Sequence, residues 1–388
     1  MTDFDKVINR RGTGSLKWDV KDNELPMWVA DMDFTTAPCI TEAILNKASS
    51  GVFGYQIVPD EWYDAIDRWW RTRHGLTIPK DWLCFTTGVV PAITSCVNHL
   101  TKLGDNVVTM TPVYDIFFHS IENTGRVTCE CPLVYDGEGY SIDFADLEVK
   151  LSEPKTTLLI LCNPHNPIGK VWSKEELATI GTLCHKHGVT VLSDEIHCDL
   201  TELGVEYVPF ASVSKVCQDI SITAISASKA FSIPGLQSAA VFVPNELLRD
   251  RVVSALNHDE VAEPNVFACD AVIAAFNEGG NWLDEVRKYI SANRKCVAQY
   301  LTANLPELKL IKQDATYLLW VDCSAVTDDA EMFCNFIREK TGLYLNCGTK
   351  YRGNGRYFVR LNVACPNSVL LDGLNRFKSG VQQYKKGK

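Results

Sequence analysis

The sequence predicts an α/β protein with a mostly parallel central sheet in a large domain and with a smaller α+β domain. In the middle of the chain, short apolar segments alternate with segments of helical spacing, which is the pattern of βαβ units. After about residue 282, a long amphipathic segment precedes two strands that a further helix separates. We therefore expect an N-terminal arm with part of the small domain at 1–45, a large domain at 46–281 and a C-terminal small domain at 282–388.

Six apolar segments predict the strands of the large domain. They lie, in chain order, at 82–86, 106–110, 157–162, 189–193, 220–226 and 239–244. The segment 157–162 is almost unbroken in its apolar character, as expected of a strand that is covered on both faces. A capping box at Ser173 and Glu176 predicts the start of the helix that follows this strand, and Gly188 predicts its end.

The two ends of the chain predict different structures. A long amphipathic helix at 282–301 is followed by strands at 317–321 and 357–363, which a helix near 330–340 separates. This pattern predicts the small α+β domain. The first 45 residues are irregular and contain prolines and glycines, so we expect an arm that crosses this subunit or a neighbouring one.

Composition and charge limit the class of protein. Of the 388 residues, 46% are hydrophobic and 22% are charged, the balance of a soluble globular protein, and the formal net charge is −10. This acidic balance, without a basic stripe, argues against a nucleic-acid surface. The N-terminus has no positively charged start before an apolar segment, and no apolar run reaches the ~18 residues of a membrane span. We therefore expect a cytoplasmic protein that binds neither nucleic acid nor a membrane.

The cysteines predict neither disulfides nor a metal site. There are 15 of them, an odd number, and several lie within apolar runs. Such cysteines behave as small buried hydrophobic residues in a reducing compartment. No Cys-x-x-Cys occurs, and the spacing of Cys129 and Cys131 is too short for the usual zinc site.

Lys229 is the residue on which the functional interpretation depends. It stands in Ser226-Ala227-Ser228-Lys229, after the apolar run at 220–225 and before a Pro-Gly turn. The charge of a lysine is costly to bury without a partner, and two neighbouring hydroxyls suggest that an anion binds beside it. This suits a lysine that forms a Schiff base with a phosphate-bearing aldehyde, pyridoxal 5′-phosphate (PLP). The alternative is a surface lysine that follows a strand.

Ligands of open α/β sheets bind at the carboxyl ends of the strands, so the residues after each strand are candidates. After the first strand, Gly88 opens a helix whose free N–H groups could bind an anion. An ordinary strand-to-helix turn is the alternative there. After the second strand, Tyr114 could stack on a planar ring, or it could pack within its loop.

Two further strand ends carry polar side chains. The loop after the third strand contains two Asn-Pro steps, at Asn163 and Asn166. Asn166 could donate to a phenolate oxygen, and the alternative is a proline-rich turn. After the fourth strand, Asp194 needs a partner if it is buried. The pyridinium nitrogen of PLP is such a partner, and a helix cap or a salt bridge is the alternative.

The ordered series of motifs resembles the fold-type I PLP enzymes of the class I/II aminotransferase superfamily. It runs through Gly88-Val89-Val90, Tyr114, Asn166-Pro167-x-Gly169, Asp194, Ser226-x-Ser228-Lys229 and Arg360. Within the superfamily, the segments 28–34, 163–167 and 194–197 resemble the MalY/PatB family of cystathionine β-lyases and cysteine C–S lyases. The resemblance implies the fold-type I architecture and PLP as the cofactor.

The resemblance implies a role for each matching residue around the ring. Lys229 would carry the cofactor, Asp194 would pair with the pyridine nitrogen, and Asn166 would bind the ring oxygen O3′. Tyr114 would lie against the ring. His197 stands where many aminotransferases place a tyrosine, which removes a phenol from O3′.

The resemblance also implies how the phosphate and the substrate are held. The phosphate would be bound by Val89, Val90, Ser226, Ser228 and Tyr55 of the partner subunit. Arg360 would clamp the α-carboxylate of the substrate with its planar fork, and a surface salt bridge is the alternative. Gln237 departs from the pattern, because many members of the superfamily carry a basic residue eight positions after the lysine.

Three functions are compatible with these residues. The favoured one is a PLP-dependent C–S β-lyase that cleaves cystathionine, cysteine or related thioether amino acids to pyruvate, ammonia and a thiol or sulfide. The second is an aminotransferase of the same fold, and the third is a non-catalytic regulatory partner. The expected partners are a small sulfur amino acid and a second copy of the chain, in a homodimer with shared active sites.

Overall fold

The structure, a computed structural model, describes residues 2–387. Its strands are, in chain order, β1 (Leu25–Pro26), β2 (Leu83–Thr86), β3 (Asn106–Thr111), β4 (Val127–Pro132), β5 (Val134–Tyr135), β6 (Tyr140–Ser141), β7 (Thr156–Cys162), β8 (Thr190–Asp194), β9 (Ser221–Ile225), β10 (Ala239–Phe242), β11 (Lys309–Leu310), β12 (Leu318–Asp322), β13 (Leu343–Tyr344), β14 (Asn346–Cys347) and β15 (Phe358–Asn362).

The α-helices are, in chain order, α1 (Pro38–Ser49), α2 (Asp60–His74), α3 (Val89–Leu100), α4 (Ile116–Glu122), α5 (Phe144–Ser152), α6 (Lys174–Lys186), α7 (Lys215–Ile220), α8 (Ala227–Ala230), α9 (Glu246–His258), α10 (Ala268–Glu278), α11 (Gly280–Asn304), α12 (Ala330–Thr341) and α13 (Asn367–Lys386). The α6 helix begins with the predicted capping box, in which Ser173 and Glu176 bond reciprocally. It ends before Gly188, whose φ of +68° favours glycine.

A seven-stranded sheet forms the centre of the large domain. Its strand order is β2-β10-β9-β8-β7-β3-β4, and β10 is antiparallel to both neighbours while the other adjacent pairs are parallel. The prediction of a mostly parallel sheet is therefore confirmed. Every residue of β9 is buried, because helices cover both faces of the sheet.

The register of the sheet brings three strand ends together. Cys162, the last residue of β7, pairs with Asp194, the last residue of β8, and Asp194 pairs with Ala224 of β9. The loops that follow these strands therefore begin at the same edge of the sheet. This edge is the place where the sequence predicts a ligand.

The small domain is built on a four-stranded antiparallel sheet with the order β11-β12-β15-β14. The N-terminal segment joins this part of the molecule, because β1 pairs in parallel with β13 through Leu25 and Leu343. The helix α1 packs instead against α10 of the large domain. The N-terminal residues thus contact both parts of the chain.

All six predicted strands of the large domain are present, with bounds that differ by one or two residues. The strand β4 was not predicted. It is an edge strand with only one fully buried side chain, Cys131, and Val127 at its start is 50% exposed. Such a strand lacks the apolar run that marks the central strands. Among residues 2–387, no helix is long and apolar enough to cross a membrane.

Candidate active site

A cavity of about 270 Å³ opens at the carboxyl edge of the central sheet. Nine of the predicted site residues line it: Val89, Val90, Tyr114, Asn166, Asp194, His197, Ser226, Ser228 and Lys229. They come from five separate strand ends and the helices that follow. The sheet register therefore assembles residues that are up to 140 positions apart in the sequence.

Lys229 lies in the short helix α8, one turn after β9. Its Nζ donates a hydrogen bond to the backbone oxygen of Ala30 at 3.0 Å. Burial lowers the pKa of Lys229, the Arg360 guanidinium lowers it further, and Asp31 and Asp194 oppose the shift. A lysine in this setting loses its proton more readily than a surface lysine, which a nucleophilic or basic amine requires.

Ser226 caps the helix that carries Lys229. Its Oγ accepts a hydrogen bond from the Ser228 backbone amide at 3.0 Å and donates to the Ser238 backbone oxygen at 2.7 Å. These two bonds fix the turn between β9 and α8. They set the direction in which Lys229 enters the cavity.

The first turn of α3 presents free backbone amides to the cavity. Gly88 is the N-cap of this helix, and no side chain caps it. The N–H groups at Val89 and Val90 therefore have no intrahelical acceptor, and they carry the positive end of the helix dipole. This arrangement fits the phosphate of PLP.

Asp194 is buried, with 4% of its surface exposed, at the end of β8. One carboxylate oxygen accepts a hydrogen bond from the Ile196 amide at 3.1 Å. Burial raises the pKa of Asp194 to about 6, and the Ile196 amide and the Lys229 charge only partly offset it. A cationic ring nitrogen in the cavity would compensate this buried charge, so Asp194 fits the pyridinium of PLP.

His197 is a neutral imidazole beside two cations. It is 3% exposed, and its Nδ1 has no hydrogen-bond partner within residues 2–387. Burial lowers the pKa of His197 to about 3, and the charges of Lys229 and Arg360 lower it further. The unpartnered Nδ1 is a buried polar atom that a bound ligand could satisfy.

Tyr114 lies in the loop between β3 and α4, at the same carboxyl edge of the sheet, and it lines the cavity. Its ring packs edge-on against Phe117 at a centroid distance of 5.7 Å. Burial raises the pKa of Tyr114 to about 12, so its phenol keeps its proton at neutral pH. The side chain can therefore offer both an aromatic face and a hydroxyl donor.

Asn166 and Arg360 contact each other directly. Arg360 lies in the middle of β15, is 4% exposed and donates from Nη1 to Oδ1 of Asn166 at 3.0 Å. Its Nη2 donates to the Trp28 backbone oxygen at 3.1 Å, while its Nε has no partner within residues 2–387. Arg360 forms no salt bridge with any residue that the structure describes, so it is a buried cation with capacity to bind an anion.

The segment before Pro38 forms part of the cavity wall, although it does not follow any strand of the central sheet. The Ala30 backbone oxygen accepts from Lys229 Nζ and also from Tyr317 Oη, each at 3.0 Å. The Trp28 oxygen accepts from Arg360. The resemblance of the segment 28–34 was the only sequence signal for this role, because backbone acceptors leave no side-chain motif.

A buried charge network anchors this N-terminal segment. Lys17 is 1% exposed and pairs with Asp33 at 2.8 Å and with Asp31 at 3.4 Å. Arg10 pairs with Asp31 at 2.7 Å and with Asp33 at 2.9 Å. Four charges in alternating contact compensate one another, so the backbone oxygens at the cavity are held in place.

Two predicted site residues do not line the cavity. Arg360 contacts Asn166, which lines the cavity, and Tyr55 is 99% exposed and does not line the cavity of its own chain. Gln237, which replaces the expected basic residue, does line the cavity, in a left-handed conformation with φ of +49°. The cavity is also lined by Ser238, Ile196 and Pro234, to which the sequence patterns assigned no role in the site.

The family model of aminotransferase class I and II matches residues 25–377, and the chain belongs to this family. The chain is 44% identical over 386 residues to the cystathionine beta-lyase PatB of Bacillus subtilis (strain 168), covering 97% of this chain and 99% of that one. It is 36% identical to the protein MalY of Escherichia coli (strain K12), covering 96% and 97%.

Among solved structures, the fold is similar to that of cystalysin from Treponema denticola, which contains a pyridoxal 5′-phosphate cofactor. The TM-score is 0.96 at 33% sequence identity, and the match covers 99% of each chain. The fold-type I architecture that the motifs predicted is thereby confirmed.

Proposed function

We propose that this protein is a PLP-dependent carbon–sulfur β-lyase that acts on cystathionine, cysteine or related thioether amino acids. The products are pyruvate, ammonia and a thiol or sulfide. The observation that carries the proposal is the 44% identity to a cystathionine beta-lyase over nearly the whole of both chains, combined with a cavity that contains a buried lysine and a buried aspartate.

Lys229, Asp194 and Asn166 would hold the ring of the cofactor. Lys229 would bond it covalently through Nζ, Asp194 would keep a proton on the pyridine nitrogen, and Asn166 would donate from Nδ2 to O3′. Arg360 already occupies Oδ1 of Asn166, which leaves the amide nitrogen for the ring oxygen. Tyr114 and His197 would flank the ring.

The phosphate would bind at the amides of Val89 and Val90 and beside Ser226 and Ser228. Gln237 adds no charge there, so the binding energy would come from amides, hydroxyls and the helix dipole. When bound, PLP supplies the electron-withdrawing ring that makes the Cα proton of an amino acid acidic.

The residues of the chain would then complete the reaction. Arg360 would bind the α-carboxylate of the substrate, because its Nε is free and its charge is unpaired among the described residues. Lys229 would remove the Cα proton, since its lowered pKa leaves more of the amine unprotonated at neutral pH. Loss of the thiolate from Cβ distinguishes a lyase from a transaminase.

A homodimer with shared active sites is part of this proposal. The segment 51–59 has no regular secondary structure, and it exposes Val52, Phe53, Tyr55 and Ile57 by 59–99%. A second copy of the chain that covers this apolar segment would remove the exposed surface. Tyr55 would then reach the phosphate in the cavity of the partner subunit.

The division into an arm at 1–45, a large domain at 46–281 and a small domain at 282–388 also remains our proposal. The start of α11 at Gly280 supports the second boundary, and the pairing of β1 with β13 supports an arm that joins the small domain. The helix α1 crosses the first boundary and packs on α10, so the irregular arm ends before Pro38.

An aminotransferase is the second candidate, because the matching family model describes that class. Product analysis tests the proposal. Purified protein with PLP is incubated with L-cystathionine or L-cysteine, and pyruvate, ammonia and thiol are measured together. Equal amounts of the three products support the lyase, and absence of all three with both substrates contradicts it.

A further inference from the structure

Two clusters of metal-ligating side chains lie outside the active-site cavity. The first contains His74, Cys198 and Asp199. Trp69 Nε1 donates to both oxygens of Asp199, at 3.0 and 3.2 Å, and His74 occupies one of them at 2.9 Å. Burial raises the pKa of the Cys198 thiol well above its usual range. Because a thiolate is the form that binds a metal, the protonated Cys198 is not a ready ligand, and only His74 and Asp199 remain in this cluster.

The second cluster joins the carboxyl ends of α3 and α9. His99 lies in the last turn of α3, His258 ends α9, and Asp259 follows it as the C-cap. Asp259 Oδ1 lies 2.8 Å from His99 Nε2 and 3.1 Å from His258 Nδ1. The three candidate ligand atoms all lie within 4.8 Å of one another, which is close enough for all three to bind one ion.

We infer that His99, His258 and Asp259 form a binding site for a divalent transition-metal ion of the zinc class. Two imidazoles and one carboxylate are a ligand set that Zn²⁺ accepts, with water in the remaining position. Ligands about 2.1 Å from a tetrahedral ion are about 3.4 Å apart. The two separations from Asp259 Oδ1, 2.8 and 3.1 Å, are shorter than this, so the carboxylate must move slightly away from the imidazoles to admit the ion.

The site is accessible and one of its ligands is pre-oriented. The side chains of His99 and Asp259 are 24% and 25% exposed, and that of His258 is 71% exposed. Ser95 Oγ donates to Oδ2 of Asp259 at 2.7 Å, and the ion would bind Oδ1 in place of that oxygen's present contacts with the two imidazoles. Such a hydrogen bond to a ligating carboxylate is typical of the support that metal sites use.

The site is connected to the phosphate-binding turn of the cavity. The Val261 backbone oxygen, two residues after Asp259, accepts from the Thr87 amide at 2.9 Å. The helix α3 carries His99 at one end and the amides of Val89 and Val90 at the other. A bound ion would thus tie the end of α9 to the helix that faces the phosphate, which predicts a more heat-stable protein.

The test uses the PLP-loaded protein and Zn²⁺ alone, with dialysis followed by metal analysis. We expect the wild type to bind one Zn²⁺ per chain, and we expect His99→Ala and His258→Ala each to lose it. Ser95→Ala should weaken the affinity by about tenfold, because it frees the carboxylate without removing a ligand. His119→Ala is the matched control, since His119 is exposed on α4 outside the cluster, and it should bind as the wild type does.

Zinc bound by cysteine thiolates must be distinguished from zinc bound at the proposed site, because five cysteines are half-buried. X-ray absorption at the zinc edge separates the two, as Zn–N and Zn–O distances are about 2.0–2.2 Å and Zn–S about 2.3 Å. The inference predicts a nitrogen and oxygen shell and a melting temperature that Zn²⁺ raises in the wild type but not in His258→Ala. A sulfur shell, no bound zinc, or equal binding by the wild type and His258→Ala would overturn it.

Discussion

Arg360 and Asn166 are joined by a hydrogen bond of 3.0 Å that connects the small domain to the large one. Arg360 belongs to β15, and Asn166 lies in the loop after β7. The residue proposed to bind the substrate carboxylate is therefore in contact with the residue proposed to bind the cofactor ring. Substrate binding and ring position are expected to be coupled through this contact.

The substitution Arg360→Lys tests the planar fork. Lysine keeps the charge but lacks the planar fork that bonds a carboxylate at two points while it also bonds Asn166, so kcat/KM should fall by about 10- to 150-fold, the equivalent of about 1.5–3 kcal/mol. Steady-state kinetics with L-cystathionine measures it. Arg356→Lys is the control, because Arg356 is exposed. A change of less than twofold in Arg360→Lys would show that the planar arrangement of donors on Arg360 does not contribute to catalysis.

The substitution Asp194→Asn tests the buried carboxylate. It removes the charge that would keep the ring nitrogen protonated, while the size of the side chain is unchanged. We expect kcat to fall at least about 100-fold with an unaltered circular dichroism spectrum. Asp219→Asn, at an exposed ion pair on α7, should leave kcat unchanged. Near-normal turnover in Asp194→Asn would mean that Asp194 is only structural.

The sequence was sufficient to predict those features of the fold and the site that depend on the pattern of neighbouring residues. The central strands are apolar runs, so their ends could be located within one or two residues. Asp194 is the last residue of one of these strands, and Asn166 and Lys229 follow the ends of two others. The strand β4 escaped prediction because an edge strand with one buried residue has no such run.

Features that depend on distant contacts could not be predicted. The bond from Lys229 to the Ala30 oxygen joins residues 199 positions apart, and the acceptor is a backbone atom without a side-chain signal. The burial of Lys17 likewise requires Asp31 and Asp33, and nothing near Lys17 in the sequence indicates it. These contacts hold the site residues and the N-terminal segment in place, so the sequence predicts which residues line the site but not what positions them.

Mixing two variants with different defects, Tyr55→Phe and Lys229→Ala, tests the shared active site. Tyr55→Phe would impair the cavity of the partner subunit, and Lys229→Ala would inactivate its own. After random exchange of subunits, half of the dimers are hybrids with one intact site, so about one quarter of the wild-type activity should return. Each variant alone is the control. If the mixture is no more active than the sum of its parts, or if a monomer is fully active in sedimentation experiments, the shared site is contradicted.

The buried Glu195 predicts a pH-dependent stability. Burial raises its pKa to about 7, although bonds from Tyr207, the Phe210 amide and Ser193 oppose the shift. Because the folded-state pKa lies above the unfolded value of about 4.3, the folded protein favours the protonated acid. The contribution of protonated Glu195 to the free energy of unfolding is complete below about pH 4.3 and is lost as the pH rises through about 7.

The substitution Glu195→Gln should remove this dependence. Between pH 5 and pH 8, the free energy of unfolding of the wild type should fall by an amount on the order of 3 kcal/mol more than that of Glu195→Gln. Denaturant titration at both pH values measures it, with Glu206→Gln as an exposed control. Parallel pH profiles of the wild type and Glu195→Gln would contradict the prediction.

The most direct test of the central claim is the number of turnovers on L-cystathionine without an added keto acid. A β-lyase regenerates its cofactor in each cycle, so we expect pyruvate, ammonia and homocysteine to accumulate over many turnovers per site, and Lys229→Ala to form none. A transaminase would stop after one turnover with the cofactor as pyridoxamine phosphate. Turnover that requires 2-oxoglutarate or pyruvate would contradict the assignment as a C–S lyase and establish the aminotransferase.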